Sequence, residues 1–388
     1  MSAVAGGAAA RGARDALALE TITDADAFAA LAPQWDALVL AMPRPSPFLL
    51  HGWLTTWWSH HGDADGLRVH VARRDGRLEA ALPLCVRRRA GLRVTSFLGH
   101  GASALADVLL ADGADPLAAR ALAARALDDG DYADLFGLPG GSCVAAAARP
   151  AALALVPRAE APVLDLEPGW PEVYRAKTSA KRRSLHRRRR RQLAELGDLS
   201  VEVACTREAL EPALEEAFEL HELRWRDRPE ASRFATPAGR AFHREALRAI
   251  AGVPRILTVR IDGRAVACNY FFLLGDCMYF HELAFDPEFA RFSPGQIATL
   301  DAIEAAAREG ARRVEFLGGA ERYKLELADR FEPLYEGVGL ARTLRGRAAA
   351  SARIAVLDLR RTLKGTPARR VYYDHLAPAR RALRRLRS

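Results

Sequence analysis

His281 and Glu282 close the apolar run "CMYFHELAF" (277–285), and either side chain can take a proton from a reacting group. Neighbours on a regular strand face opposite ways, so one of the two is expected to point into a cleft. The next residues, "DPEFARFSPGQ" (286–296), are rich in Pro, Arg, Ser and Gly, and a helical pattern then runs through "GQIATLDAIEAAARE" (295–309). A strand that feeds a helix through such a loop is a ready holder of phosphate. Glycine lets the backbone come close, the first helical N–H groups lack partners, and the helix dipole favours an anion there. Arg291 adds charge beside Phe292 and Ser293, Pro294 suits a helix start, and Gly295 and Gln296 open the helix. The spacing is neither GxxxxGK[ST] nor GxGxxG, which sets aside ATP and NAD loops.

Other candidates lie elsewhere in the chain. Only four residues are Lys against 53 Arg, so Lys324 in "FLGGAERYK" (316–324) marks a position that needs a compact ammonium. The run "KTSAKRRSLHRRRRRQL" (177–193) holds nine basic residues, Lys181 and Arg182 among them, and no acid. It reads as a helix whose charge serves an anionic acceptor, because acids in its own run do not offset it. Arg224 and Trp225 of "ELHELRWRDR" (219–228) suit a cleft where an aromatic stacks on a sugar face. Trp53, Trp57 and Trp58 read as core.

The elements that must position these residues repeat. "RVHVARRDGRLEAALPLCVRRRAGLRVTSFLG" (68–99) and "RILTVRIDGRAVACNYFFLLGDCMYFHELAF" (255–285) each show apolar strands joined at an Asp-Gly, about 187 residues apart. Each is followed by a helical segment (115–129; 295–309) and a short strand ending in glycine (131–140; 311–319). Duplication is the economical explanation. Only the second copy has the interrupted strand-to-helix loop; the first spends "GHGASALADVLLADGADP" (99–116) on another strand. One half is thus expected to be active and the other a scaffold. Further helices are expected at 24–61, 170–196, 207–228, 237–251 and 345–388. The Ala/Pro-rich stretch 143–162 reads as the crossing between halves.

Composition narrows the class. The net charge is +9, but residues 360–388 alone carry ten basic residues against Asp374, which leaves 1–359 neutral. The body is therefore no general nucleic-acid binder. Five scattered cysteines with no CxxC pair fit a reducing compartment, and neither they nor the histidines have metal-ligand spacing. No apolar stretch is long enough to span a membrane, and "MSAVAGGAAARGAR" lacks the plan of a signal peptide, so a cytoplasmic protein is expected. Arg380, Arg381, Arg384 and Arg385 of the basic tail are candidates for peripheral contact with acidic lipid.

The loop "RFSPGQ" (291–296) resembles the pyrophosphate loop of GNAT acetyltransferases, [Q/R]-x-x-G-x-[G/A], with Pro294 and Gln296 departing from it. Together with "WDAL" (35–38), "PFLLHGWLTTWW" (47–58), "KRRSLHRRRRRQL" (181–193), "ELRW" (222–225), "DPEFARFSPG" (286–295) and "FLGGAERYK", it resembles the CelD-type, FemAB-related acetyltransferases of bacterial exopolysaccharide synthesis over about residues 20–340. The resemblance implies an α/β (α+β) fold of two tandem GNAT-like domains, each a mixed, mainly antiparallel sheet flanked by helices. Boundaries are expected at 1–18 (flexible), 19–160 (degenerate half), 161–344 (acyl-CoA half) and 345–388 (basic tail). It implies direct acyl transfer from acetyl-CoA, without metal, to an amine or hydroxyl of an anionic or glycan-linked acceptor. Glu282, with His281 as the alternative, would be the base, and Tyr323 the acid for the departing thiolate. Arg291, Phe292, Ser293, Gly295 and Gln296 would meet the cofactor, and Lys324, Arg224, Trp225, Lys181 and Arg182 the substrate. Two alternatives stand beside it: FemAB-like transfer from aminoacyl-tRNA, and a non-catalytic binding module.

Overall fold

The computed structural model describes residues 17–62, 66–147, 152–226, 234, 236–319 and 321–363; the four tail arginines lie outside them. The first half begins with β1 (Ala18–Ile22), α1 (Ala25–Ala29), α2 (Ala32–Leu40) and α3 (His51–His61). Then come β2 (Leu67–Arg74), β3 (Arg77–Arg89), β4 (Leu92–Phe97), β5 (Leu109–Leu110), α4 (Pro116–Arg125), β6 (Tyr132–Pro139) and α5 (Cys143–Ala147). The strand β7 (Leu153–Asp165) leads to α6 (Trp170–Lys177) and α7 (Ala180–Ala194). The second half holds β8 (Leu199–Ala204), α8 (Arg207–Trp225), α9 (Pro237–Ala249), β9 (Pro254–Ile261), β10 (Arg264–Leu274) and β11 (Cys277–Phe285). It closes with α10 (Pro294–Arg308), β12 (Arg313–Glu315), α11 (Arg322–Leu327), β13 (Arg330–Gly339) and α12 (Leu344–Leu363).

The repeat is real in three dimensions. Both copies run strand, strand, strand, helix, strand, and in both the last strand pairs parallel to the third: Val94 with Tyr132, and Cys277 with Arg313. The hairpins turn where Asp-Gly stands. Asp75 and Gly76 have φ of 48° and 77°, and Asp262 and Gly263 of 49° and 79°, the positive pair that a two-residue hairpin needs.

The halves share one sheet, in the order β1-β2-β3-β4-β6-β13-β7-β12-β11-β10-β9-β8 with β5 beside β3. The stretch 143–162 is therefore no plain crossing: most of β7 lies in it, and β7 pairs with both β12 and β13. β13, late in the chain, inserts between β6 and β7. One apolar core runs through both halves, from Trp35 and Trp53 to Phe218, Phe242 and Tyr270. There α3 meets α9 so closely that a Cβ on Gly52 would sit 2.3 Å from the Ala249 carbonyl oxygen. On the opposite face α10 covers a second core with Phe271, Phe280 and Val314. Among the described residues no helix is long and apolar enough to cross a membrane.

Candidate active site

β11 and β12 run parallel for three residue pairs, ending at Tyr279–Glu315, and then part. The wedge opens into a chamber of about 280 Å³ lined by Phe280 and His281 on one side and Phe316 to Gly319 on the other. Lys324, Arg158 and Ala159 of β7, Leu334 of β13 and Ala104 of the first half complete its wall.

At the wedge β11 carries a bulge. Tyr270 pairs with Glu282 but Phe271 pairs with Phe280, so the ladder steps over His281. An extra residue re-aims the side chains that follow it. The simple alternation expected of His281 and Glu282 therefore fails, and both address the α8–α9 side. The His281 ring packs against Tyr270 at 4.9 Å and His243 of α9 at 5.4 Å. The Glu282 carboxylate lies 3.7 Å from Nε2 of His221 on α8. His221 is buried and stacks on Trp225, one turn along the same helix. Sequence reasoning passed over His221, although its spacing of three and four residues from Arg224 and Trp225 puts all three on one helical face.

Arg224 bridges these groups. Its guanidinium donates to the Leu283 carbonyl and lies over the Phe285 ring at 4.8 Å. Burial lowers its pKa, while the nearby Tyr323 and Glu282 favour its charge. Tyr323, in the first turn of α11, stands 6.2 Å from Phe280, ring to ring. Burial, seconded by Glu321, pushes its hydroxyl pKa above the usual tyrosine range. Lys324 is buried; its Nζ meets Glu321 at 3.1 Å, donates to the Gly318 carbonyl at 3.3 Å and lies over the Phe280 ring. The structure thus gathers His281, Glu282, Arg224, Trp225, Tyr323 and Lys324 around one wedge.

The loop before α10 is wound as a short 3-10 segment, and Ser293 takes left-handed angles (φ 54°, ψ 52°) to turn into the helix. The N–H groups of Gln296 and Ile297 both bond to the Ser293 carbonyl. Arg291 is exposed over its neighbour's ring, and the Phe292 side chain belongs to the second core. Gly295 is buried: a Cβ there would sit 3.0 Å from Cδ1 of Phe285. Its smallness is thus needed where α10 packs on β11, whatever lies at the helix end.

Beside this helix end a cleft separates α10 (Gln296, Thr299, Leu300) from α11 (Tyr323, Glu326, Leu327), with α6 and α7 laid across it. Three of the nine cations in the basic run are paired with acids remote in sequence. Arg182 reaches Glu326 at 2.6 Å, Arg190 reaches Asp301 at 2.6 Å, and Lys177 reaches Asp329 at 2.5 Å. Arg189 comes within 3.5 Å of the Gln296 side chain, and Lys181 remains exposed.

In the first half the matching wedge is stitched shut. Ser96 at the end of β4 donates to the Asp134 carbonyl of β6, and His100 packs on Phe136 at 5.5 Å. Among the described residues no group of His, Cys, Asp and Glu is arranged to hold a metal ion.

Three comparisons place this geometry. The family described as acetyltransferase (GNAT) domain matches residues 180–325. No curated protein sequence matches the chain. Among solved structures, FemX is 12% identical with a TM-score of 0.57, covering 80% of this chain and 96% of its own. The C-terminal domain of a protein described as a lysylphosphatidylglycerol synthetase, from Agrobacterium fabrum, is 14% identical with a TM-score of 0.55 over 84% of this chain and 95% of its own. L-PGS from Bacillus licheniformis is 12% identical with a TM-score of 0.51 over 78% and 95%. Such identities show the fold alone. The wedge, α10, Glu282 and Tyr323 all fall within the segment that matches the acetyltransferase (GNAT) domain family, and the chain as a whole has a GNAT-like mixed α/β fold.

Proposed function

We propose that this chain transfers an acyl group, acetyl in the simplest case, directly from CoA to an amine or hydroxyl acceptor, with Glu282 as base and Tyr323 as acid. The observation that carries the reading is that both side chains flank the point where β11 and β12 part, inside the matched acetyltransferase segment. The residues present fit an acyl-CoA: Lys177, Arg182 and Arg189 bring cations to the cleft beside the start of α10, and a neighbouring chamber has room for a small acyl and acceptor group. When bound, the CoA supplies an activated thioester.

The chain's own part is positional and protonic. Glu282, held beside His221, takes the proton that the acceptor sheds as it attacks. Tyr323, kept neutral by burial, hands its proton to the departing thiolate. The chamber holds both partners at short range. Its lining cations, Lys324 and Arg158, are each paired with a carboxylate, Glu321 and Glu336, which an acceptor's anionic group would replace. The resemblance to CelD-type proteins supports a glycan-linked acceptor in cell-envelope or exopolysaccharide synthesis, worked on in the cytoplasm, and the basic tail supports a site next to a membrane.

The test is calorimetry with acetyl-CoA, followed by thiol release in the presence of amine, aminosugar and glycan acceptors. Glu282→Gln is expected to keep acetyl-CoA affinity and to lower kcat about a hundredfold or more. Wild-type protein that binds no CoA at low salt overturns the reading.

One observation favours a second donor. The cleft beside α10 is narrow, with a cavity of about 10 Å³. An aminoacyl-tRNA, the donor implied by the FemAB resemblance, would bring its ester to the wedge without threading a pantetheine arm. Steeply salt-dependent binding of charged tRNA would select it.

A further inference from the structure

α6 and α7 belong to neither copy of the repeat, yet they lie across the cleft that joins the α10 N-terminus to Tyr323. Their tethers share one form: a strap cation meets a carboxylate at the cleft. Arg182 meets Glu326 on α11, and Lys177 meets Asp329 just beyond it. The space left beneath is about 10 Å³, room for one water. The Arg182 and Glu326 side chains keep 31% and 26% of their surface exposed, so a dissolved anion can reach the pair. The Arg182–Glu326 pair is bidentate, at 2.7 and 2.6 Å, but partly exposed, and a phosphate offers arginine the same planar match with a further acceptor oxygen.

We infer that Arg182 and Lys177 are ligands for the donor's phosphates, held in reserve by Glu326 and Asp329; the inference rests on the donor being an acyl-CoA. Those two carboxylates occupy the cations as internal stand-ins. When the donor's phosphates replace them, the strap edge parts from α11 and the cleft widens. Specificity for a phosphorylated donor then comes partly from a helix pair outside the repeated fold.

The experiment is calorimetric titration of CoA into the full-length wild type, Arg182→Gln and Glu326→Gln at low ionic strength. Both variants delete the same ion pair, so a purely structural role moves them in the same direction. The inference expects opposite signs: about fivefold tighter binding in Glu326→Gln, where the cation is released, and about fivefold weaker binding in Arg182→Gln. Equal affinities, or a shift of the same sign in both, overturn the inference while CoA binding by the wild type leaves the donor reading standing. No CoA binding by any of the three overturns both. Thermal unfolding reads the fold of each sample. Should either variant unfold, Lys177→Gln and Asp329→Asn replace the pair, with the same opposite signs expected.

Discussion

Tyr323 lines the cleft and stands beside Phe280 of the chamber wall, and its hydroxyl is useful only while it holds a proton. Burial and Glu321 disfavour the phenolate, so Tyr323 stays neutral past the pH at which an exposed tyrosine ionises. Tyr323→Phe is expected to lower kcat about ten- to a hundredfold below pH 10 and to leave the KM for donor nearly unchanged, as steady-state kinetics will show. His100 makes the opposite case in the stitched half. Burial, helped by Arg87, pushes its pKa from 6.5 down to about 4. Between those values the unfolded chain binds more protons than the folded one, so stability rises with pH there and falls as the solution is acidified from 6.5 towards 4. The Tm of His100→Gln is expected to drop less over that window than that of the wild type. At this scale the sequence was informative where a residue type was scarce: Lys324 stood out in a chain of arginines, and it does line the chamber. His221 was silent because its value lies in what it faces, Glu282, sixty-one residues away.

The elements were legible where local chemistry sets them. Asp-Gly fixed both hairpins, and Pro294 marked the start of α10. The β11 bulge was not legible, because it is a mismatch of register between two strands and neither strand encodes it alone. The partners of α7 were hidden for the same reason: its acids lie on α10 and α11, more than a hundred residues on. Gly52 shows the same dependence on a distant surface. It reads as an ordinary helical glycine, yet α9 passes so near that a side chain would strike the Ala249 backbone. Gly52→Val is expected to cost about 2 kcal/mol or more through overpacking, measured by urea unfolding, where Ala at an open helical glycine would stabilise.

For the whole molecule the repeat foretold two copies of one unit but not their fusion. The copies share a sheet and a core, and a buried ion pair fastens them beside the wedge. Arg44, in the loop after α2, makes two bonds to Glu315 at the end of β12, whose side chain is fully buried, and a third to Glu332 on β13. Removing Arg44 leaves the buried Glu315 with only the longer contact to Arg313 at 3.7 Å, so Arg44→Leu is expected to destabilise by about 2–4 kcal/mol. Because Glu315 sits where β12 leaves β11, the same variant is expected to raise the KM for acceptor even at temperatures where it stays folded. Chemical denaturation and steady-state kinetics on one preparation check both effects.

The place of β13 has a consequence for how the chain is made. Strand β6 is finished by residue 139, but the strand that covers its edge spans Arg330–Gly339. On the ribosome the first half therefore waits, with one sheet edge open, while nearly two hundred further residues are synthesised. An open edge is a template for pairing with other chains. The order of the strands thus makes the nascent first half a client for chaperones until the second half arrives to close it.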